Sequence, residues 1–431
     1  MASVRPADEG TDPLRALTDA CVHCGFCLPA CPTYQLDGEE AESPRGRIHL
    51  LRQLLEGEAG PGPVLRHLDN CLGCLACVPA CPSGVAYDQI VTVARERVEP
   101  ARGVADRLRR AGIFALFPHP RRLAVLRGPL RLLGPVARRV PPRLLPPTVR
   151  AMNRLLPPVL PRPRVAGLHP PAGDARPRAV VGLLTGCVQS AFFAHVSAAV
   201  IRVLTAEGCA VVVPPGQGCC GALDHHNGRL AQARQRARAT IAAFDEAGVD
   251  VVVTDVAGCG STMKEYAELL AGDALWAQRA EAFAARVRDI TEFLATLDPI
   301  APRHPLPVTV AYHDACHLAH GQGVRDAPRR LLRGIPQLRL VPIPPGEAEV
   351  CCGSAGVYNL LRPAQAGQLG ARKAAALRDT GAQVVAAGNP GCLLQLRAAL
   401  ADDEGPPLAT LHTIELLDAS LAGTSPQAVL A

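Results

Sequence analysis

A chain of 431 residues has the length of about two to four domains, and its 48% hydrophobic against 19% charged residues exclude wholesale disorder and a coiled coil. No run reaches the ~18 uncharged apolar residues of a membrane-spanning helix. Residues 1–9 lack the charged start and apolar core of a signal peptide, so a cytoplasmic location is expected. In that reducing compartment, 17 cysteines argue for metal ligands over disulfides.

Residues 1–98 are read as the first domain. They hold Cys21-x2-Cys24-x2-Cys27-x3-Cys31-Pro32, which recurs at an offset of 50 as Cys71-x2-Cys74-x2-Cys77-x3-Cys81-Pro82. Between the copies, residues 47–58 have apolar side chains at helical spacing and end near Gly57 and Gly60, which predicts a connecting helix. Iron–sulfur cubanes need soft thiolates, and a C-x2-C-x2-C run wraps three of them around one cluster while the Cys before Pro serves the other. Cys21, Cys24, Cys27 and Cys81 are therefore expected to hold one [4Fe-4S] centre, and Cys71, Cys74, Cys77 and Cys31 the second. Structural zinc normally pairs two C-x2-C units and does not follow this spacing.

Residues 99–177 read as a basic, proline-rich connector. The net charge of +6 hides an uneven distribution: residues 101–164 carry 15 arginines against the single acid Asp106, a balance of +14 that leaves −8 on the rest. Short amphipathic helices are predicted here, because Pro interrupts longer ones. An extended linker through Pro141-Pro142, Pro146-Pro147, Pro157-Pro158, Pro161 and Pro163 should follow.

A second repeat begins at residue 178. Cys187, Cys219-Cys220-Gly221 and Cys259 in residues 178–303 return as Cys316, Cys351-Cys352-Gly353 and Cys392 in residues 304–431, at offsets of 129, 132, 132 and 133. Each copy alternates apolar runs (residues 178–184, 210–213 and 249–254; then 308–312 and 383–386) with helical stretches such as 190–207 and 229–247. That alternation predicts a parallel α/β sheet, with the cysteines at the ends of strands where ligand sites of such sheets lie. Adjacent thiolates suit a multi-iron cluster better than one zinc, so up to two further iron–sulfur clusters are expected on these eight cysteines. The fold class is thus an α-helical two-cluster ferredoxin domain followed by a duplicated α/β region.

Other residues carry less. Cys209 has no repeat partner and reads as a buried core thiol. Asp314 between His313 and His317 reads as a helix cap, with a hydrogen bond from the histidines to a cluster as the rival. His225 and His226 lack a nearby acidic pattern and are assigned no catalysis. Ser261, Thr262 and Lys264 could meet an anion or a partner at a helix start. No GxGxxG, Walker or flavin fingerprint is visible, so no catalytic residue is assigned in this chain.

The run CVHCGFCLPACPTYQLDGEEAESPRGRIHLLRQLLEG, CPSGVAY after the second ferredoxin motif, and GCVQ, GQGCCGALDHH, AGCGSTMKEY, CCGSAGVYNL and NPGCLLQL resemble the iron–sulfur subunits of glycolate oxidase across essentially the whole chain. The domain order is shared with subunits of glycerol-3-phosphate dehydrogenase, lactate-utilisation enzymes and heterodisulfide reductases. The resemblance implies an electron-transfer subunit. Flavin-containing partner subunits would oxidise glycolate to glyoxylate, and electrons would pass to a membrane quinone, with the basic stretch docking the chain on the inner face of the membrane or on a partner. Heterodisulfide-reductase domains of this type follow C…CCG…C-x2-C and hold noncubane clusters on five thiolates per site. Here Val256 and Asn389 stand at the extra position, which argues against disulfide reduction. Nucleic-acid binding is not expected, since only Phe114 and Phe117 interleave the arginines.

Overall fold

The computed structural model describes residues 12–137, 140, 145, 147–156, 163–173, 176–402, 405 and 407–430. Residues 1–9, and Pro141, Pro142, Pro146, Pro157, Pro158 and Pro161 of the expected linker, lie outside the described residues.

The N-terminal domain is helical. Pro13–Asp19, Pro32–Asp37, Pro44–Glu56 and Pro61–Asn70 each open on a proline in the first turn, where its fixed φ is suited and its missing N–H costs nothing. The predicted connecting helix is Pro44–Glu56. Ser43 caps it by accepting from the Gly46 N–H at 3.0 Å, and Gly57 ends it in the left-handed conformation. Its Ile48 and Leu51 pack with Leu14, Val64, Leu68 and Ile90, the last from the helix Tyr87–Val98.

Among the described residues of the second region there are nine short strands: β1 (Gly167–His169), β2 (Val180–Leu184), β3 (Ala210–Val213), β4 (Val251–Thr254), β5 (Val287–Asp289), β6 (Thr309–Tyr312), β7 (Arg339–Val341), β8 (Val384–Ala387) and β9 (Ala409–His412). They form two sheets, ordered β1-β3-β2-β4-β5 and β7-β6-β8-β9. All pairs are parallel except β1 with β3. The central strands read as unbroken apolar runs because helices cover both faces.

The two copies share a core through a reciprocal exchange. Asp289 with Glu292, and His412 with Glu415, form matching capping boxes that start the helices Ile290–Leu294 and Thr413–Ala422. The first helix packs on Asp326–Arg333 of the second copy, and the other on Ala194–Ala206 of the first. The His412 ring also meets the Asp255 carbonyl at 2.8 Å.

The connector differs from expectation. It contains helices Val104–Leu116 and Pro120–Ala137, of 13 and 18 residues, in place of short ones, besides Pro147–Arg154. An interior proline removes one hydrogen bond and tends to bend a helix. Pro129 is exposed, so solvent can satisfy the carbonyl left without a partner. The stretch read as connector also supplies β1, which pairs antiparallel with β3 as an edge strand.

Candidate metal centres

The two ferredoxin-type loops twist alike. Backbone φ is positive at His23 (54°) and Gly25 (89°), and again at Gly73 (63°) and Leu75 (62°), the same two positions in each copy. Left-handed backbone costs a non-glycine residue about 1–2 kcal/mol, a cost carried here to turn each C-x2-C-x2-C run around one centre. The following Cys31 is the N-cap residue of Pro32–Asp37, so the Cys-Pro step ends the loop and begins the helix. Cys31 lines one small cavity together with Cys71, Cys74 and Cys77 from the other loop, and with Leu72 and Tyr87.

Burial and charge set the state of these thiols. Cys74 and Cys77 are buried, and burial followed by neighbouring thiolates, Cys316 for one and Cys74 for the other, pushes both well above the ordinary thiol range. Burial would also raise Cys71, but the charges of Arg47 and Arg95, the Gly73 N–H at 3.4 Å and the Tyr87 hydroxyl bring it below its usual value. Arg47 is itself buried and donates to Glu42 Oε2 at 2.6 Å, Thr33 Oγ1 at 3.1 Å and the His67 carbonyl at 2.7 Å. Buried thiols that resist ionisation, as Cys74 and Cys77 do, are relieved by cationic iron, which takes the thiolate form.

In the first Cys-Cys-Gly copy, Cys187 follows β2, Cys219 and Cys220 follow β3, and Cys259 lies in the helix after β4. All four are buried, and their sulfurs form a chain in which each acts on the next, from Cys187 to Cys219, Cys220 and Cys259. Those contacts draw Cys219 well below the ordinary thiol range and hold Cys187 and Cys220 well above it. Gly221 (φ 89°) and Gly353 (φ 87°) make the turn after each cysteine pair. A Cβ on Gly353 would meet the Ala366 carbonyl oxygen at 2.6 Å, whereas on Gly221 the equivalent Ala233 oxygen lies at 3.2 Å.

The second copy repeats the chain, from Cys316 to Cys351, Cys352 and Cys392. Its surroundings are more polar. A ring nitrogen of His313 and the sulfurs of Cys352 and Cys392 all lie within 4.8 Å of one another. His313 is buried, which pushes its pKa well down, and its Nδ1 has no hydrogen-bond partner. Asn389, at the position of a fifth thiolate, donates to Cys392 Sγ at 3.3 Å. Lys373 is buried nearby, with its ammonium on the Glu347 and Ala348 carbonyls and its charge acting on Cys352 and Cys351.

The second ferredoxin loop is wedged against this copy. Leu72, Cys74 and Ala76 share a buried apolar cluster with Val350, Cys351 and Tyr358, and Cys316 packs against it. His317 Nε2 meets the Gly73 carbonyl at 2.8 Å. His226 lies beside His317 at 4.5 Å between ring centroids, and burial lowers both. His225 approaches Glu265 at 3.5 Å; burial, then Asp88, raises Glu265 to about 8.

Several expectations change. Asp314 does not cap a helix; its carboxylate is clamped by Arg329 at 2.5 and 2.8 Å. Ser261, Thr262 and Lys264 face Glu265, His226 and Glu292, so their polar groups are satisfied within the chain and do not form an anion site. Cys209 lies in the core next to Arg178 and Glu207, away from both sulfur chains. The approach of His313 to two cysteines escaped the sequence reading. Its signal was the His-Asp-x-Cys-His run, legible there only as a capping pattern.

Two family descriptions match: a 4Fe-4S dicluster domain over residues 18–85, and the cysteine-rich domain CCG over residues 181–264 and 310–397. The chain is 36% identical over 421 residues to the "Probable glycolate oxidase iron-sulfur subunit" of Bacillus subtilis, spanning 92% of each chain. It is also 36% identical over 409 residues to the "Glycolate oxidase iron-sulfur subunit" of Escherichia coli, spanning 93% of this chain and 94% of that one. Lactate utilization protein A of Geobacillus kaustophilus matches at 31% over 243 residues, 56% of this chain and 98% of its own. Among solved structures, a hypothetical protein from Helicobacter pylori has a TM-score of 0.56 at 10% identity, covering 89% of this chain and 69% of that one, a likeness of fold alone.

A dicluster domain joined to two cysteine-rich domains, with buried thiols gathered in each, defines a multi-centre iron–sulfur protein of the electron-transfer class. Iron–sulfur clusters are its cofactors, and the soft sulfur donors, buried except for Cys21, Cys24, Cys27, Cys81 and Cys316, fit them. Within that class, the chain belongs to the family of glycolate oxidase iron–sulfur subunits.

Proposed function

We propose that this chain carries electrons from a flavin-containing subunit, which oxidises glycolate to glyoxylate, towards a membrane acceptor. Glycolate is favoured over lactate because two relatives that match over nine-tenths of the chain are glycolate oxidase subunits, while a lactate utilization protein matches 56% of it.

In this reading Cys21, Cys24, Cys27 and Cys81 hold one [4Fe-4S] cluster, and Cys71, Cys74, Cys77 and Cys31 the other. Cys187, Cys219, Cys220 and Cys259, and Cys316, Cys351, Cys352 and Cys392, hold the remaining centres. What the clusters supply when bound is one-electron transfer. The chain's residues hold them, exclude water and bring the domains together. Leu72, Ala76, Val350 and Tyr358 keep the ground between Cys74 and Cys351 dry, and His317 ties its loop to the Gly73 carbonyl. That seam between the second ferredoxin motif and the second Cys-Cys-Gly site is the observation that carries the proposal.

Membrane contact would use the connector. Val104, Leu108, Val125 and Leu132 are exposed on its helices. Some of its charge is spent inward, since buried Arg102 pairs with Asp69, Glu99 and Asp106. No helix among the described residues is long and apolar enough to cross a membrane, so contact would be peripheral.

The test is to purify the holoprotein anaerobically, alone and with the co-expressed flavin subunit, and to follow cluster bleaching on adding glycolate. Bleaching is expected only with the flavin subunit, and more slowly with lactate. Bleaching of the chain alone, or a preference for lactate, would refute the reading. Flotation with anionic and neutral vesicles checks the membrane step, with salt-sensitive binding to the anionic ones expected.

A further inference from the structure

We infer that His313 is a nitrogen ligand to the iron centre of the second Cys-Cys-Gly site, bound to the same iron as Cys352 and Cys392, and that the first site has no counterpart. The inference rests on the reading of that site as an iron–sulfur centre and deepens it.

The geometry is that of donors around a single metal atom. Ligand atoms about 2.0–2.3 Å from one tetrahedral metal lie roughly 3.5–4 Å from each other. The His313 nitrogen and the two sulfurs are mutually within 4.8 Å, close to that spacing. The imidazole has no competing employment. It is 1% exposed, makes no side-chain hydrogen bond among the described residues, and has a buried Nδ1 with no partner among them. A buried polar atom without a partner costs about 1–3 kcal/mol, and a metal bond would remove that cost if this nitrogen is the one that binds, or fix the tautomer if the other does.

The internal repeat supplies the control. Three residues before Cys316 stands His313; three before Cys187 stands Leu184. Leu184 occupies the same place in the fold, packed in one apolar cluster with Cys220 and Cys259, the counterparts of Cys352 and Cys392. The Cys-Cys-Gly offset of 132 likewise aligns Lys373 with Ile241. Two apolar residues of the first copy are thus a histidine and a buried lysine in the second. The first site is a four-thiolate environment in an apolar wall. The second has four thiolates, a nitrogen donor and a buried lysine whose positive charge favours the reduced state.

The test uses anaerobic, full-length holoprotein. Electron–nuclear double resonance is recorded with natural-abundance and 15N-labelled histidine, poised so that the second site is paramagnetic. A strongly coupled, directly bound histidine nitrogen is expected in the unaltered protein and should vanish in His313→Leu, which installs the first copy's residue. The spectra of the ferredoxin centres serve as the internal folding control. Because the labelled measurement needs no variant, it stands even if His313→Leu loses the cluster. Iron analysis of Cys352→Ser separates the two levels of the argument. If Cys352→Ser keeps the full iron complement, the reading of the site as an iron centre fails, and this inference with it. If Cys352→Ser loses iron but the unaltered protein shows only weak, through-space nitrogen coupling, His313 is a neighbour and not a ligand, and this inference alone is overturned.

Discussion

Replacing the glycine after each cysteine pair by alanine should damage the two copies unequally, and the size of the difference follows from local geometry. Gly221 and Gly353 have nearly the same φ, 89° and 87°, so both alanines incur the left-handed cost of about 1–2 kcal/mol. The neighbours differ. In Gly353→Ala the new Cβ would lie 2.6 Å from the Ala366 carbonyl oxygen and 3.1 Å from its Cα, backbone atoms of the helix Pro363–Arg378 that cannot swing aside. Such overpacking adds about 1–3 kcal/mol, for a total of about 2–5. In Gly221→Ala the nearest atom lies at 3.2 Å, a contact relieved by a shift of a few tenths of an ångström, so the total stays near 1–2 kcal/mol. Urea unfolding followed by circular dichroism, with iron determined on each purified holoprotein, reads both effects. Gly353→Ala should show the larger fall in midpoint and the selective loss of second-site iron. Equal losses, or a larger loss in Gly221→Ala, would refute the reasoning.

Cys31→Ser should abolish the EPR signal of the cluster assigned to Cys71, Cys74 and Cys77 and spare the one assigned to Cys21, Cys24 and Cys27; loss of its sequence neighbours' cluster alone would reject the crossed assignment. Arg47→Met should cost about 3–5 kcal/mol in urea unfolding, because it leaves buried Glu42 without its guanidinium partner, and adding Glu42→Gln should recover part of that loss. Glu265 has a folded pKa raised from 4.5 to about 8 by burial, so the folded state holds its proton more tightly than the unfolded chain. The stabilisation is present in full below about pH 4.5 and is lost as the pH rises to about 8, and Glu265→Gln should flatten the urea midpoint over that range.

Much of the fold was legible in the sequence because it depends on local rules. The spacing of Cys21 to Cys31 and of Cys71 to Cys81 sets how each loop wraps, Pro32 and Pro44 begin helices, and the runs ending at Leu184, Thr254 and Tyr312 are apolar enough to be buried strands. The repeat offsets identified the duplication and matched each cysteine of one copy with its counterpart. Proline does not punctuate every helix: Pro129 and Pro135 lie within the helix Pro120–Ala137, and at an exposed position such as Pro129 one lost hydrogen bond is cheap.

What only the tertiary structure decided are contacts between residues far apart in the chain. The bond from His317 to Gly73 spans 244 positions, and no periodicity foretells which carbonyl a buried imidazole will meet. The exchange of Ile290–Leu294 and Thr413–Ala422 between the copies, and the burial of Cys74 against Cys351, arise because each copy's apolar face is covered by the other parts of the chain. The place of His313 was hidden for the same reason. In sequence it is one polar residue beside another, and only the folding of β6 against β8 brings it to Cys352 and Cys392. Local chemistry determined which residues could be ligands, and the burial of polar groups, which requires partners supplied from distant segments, determined how they are grouped.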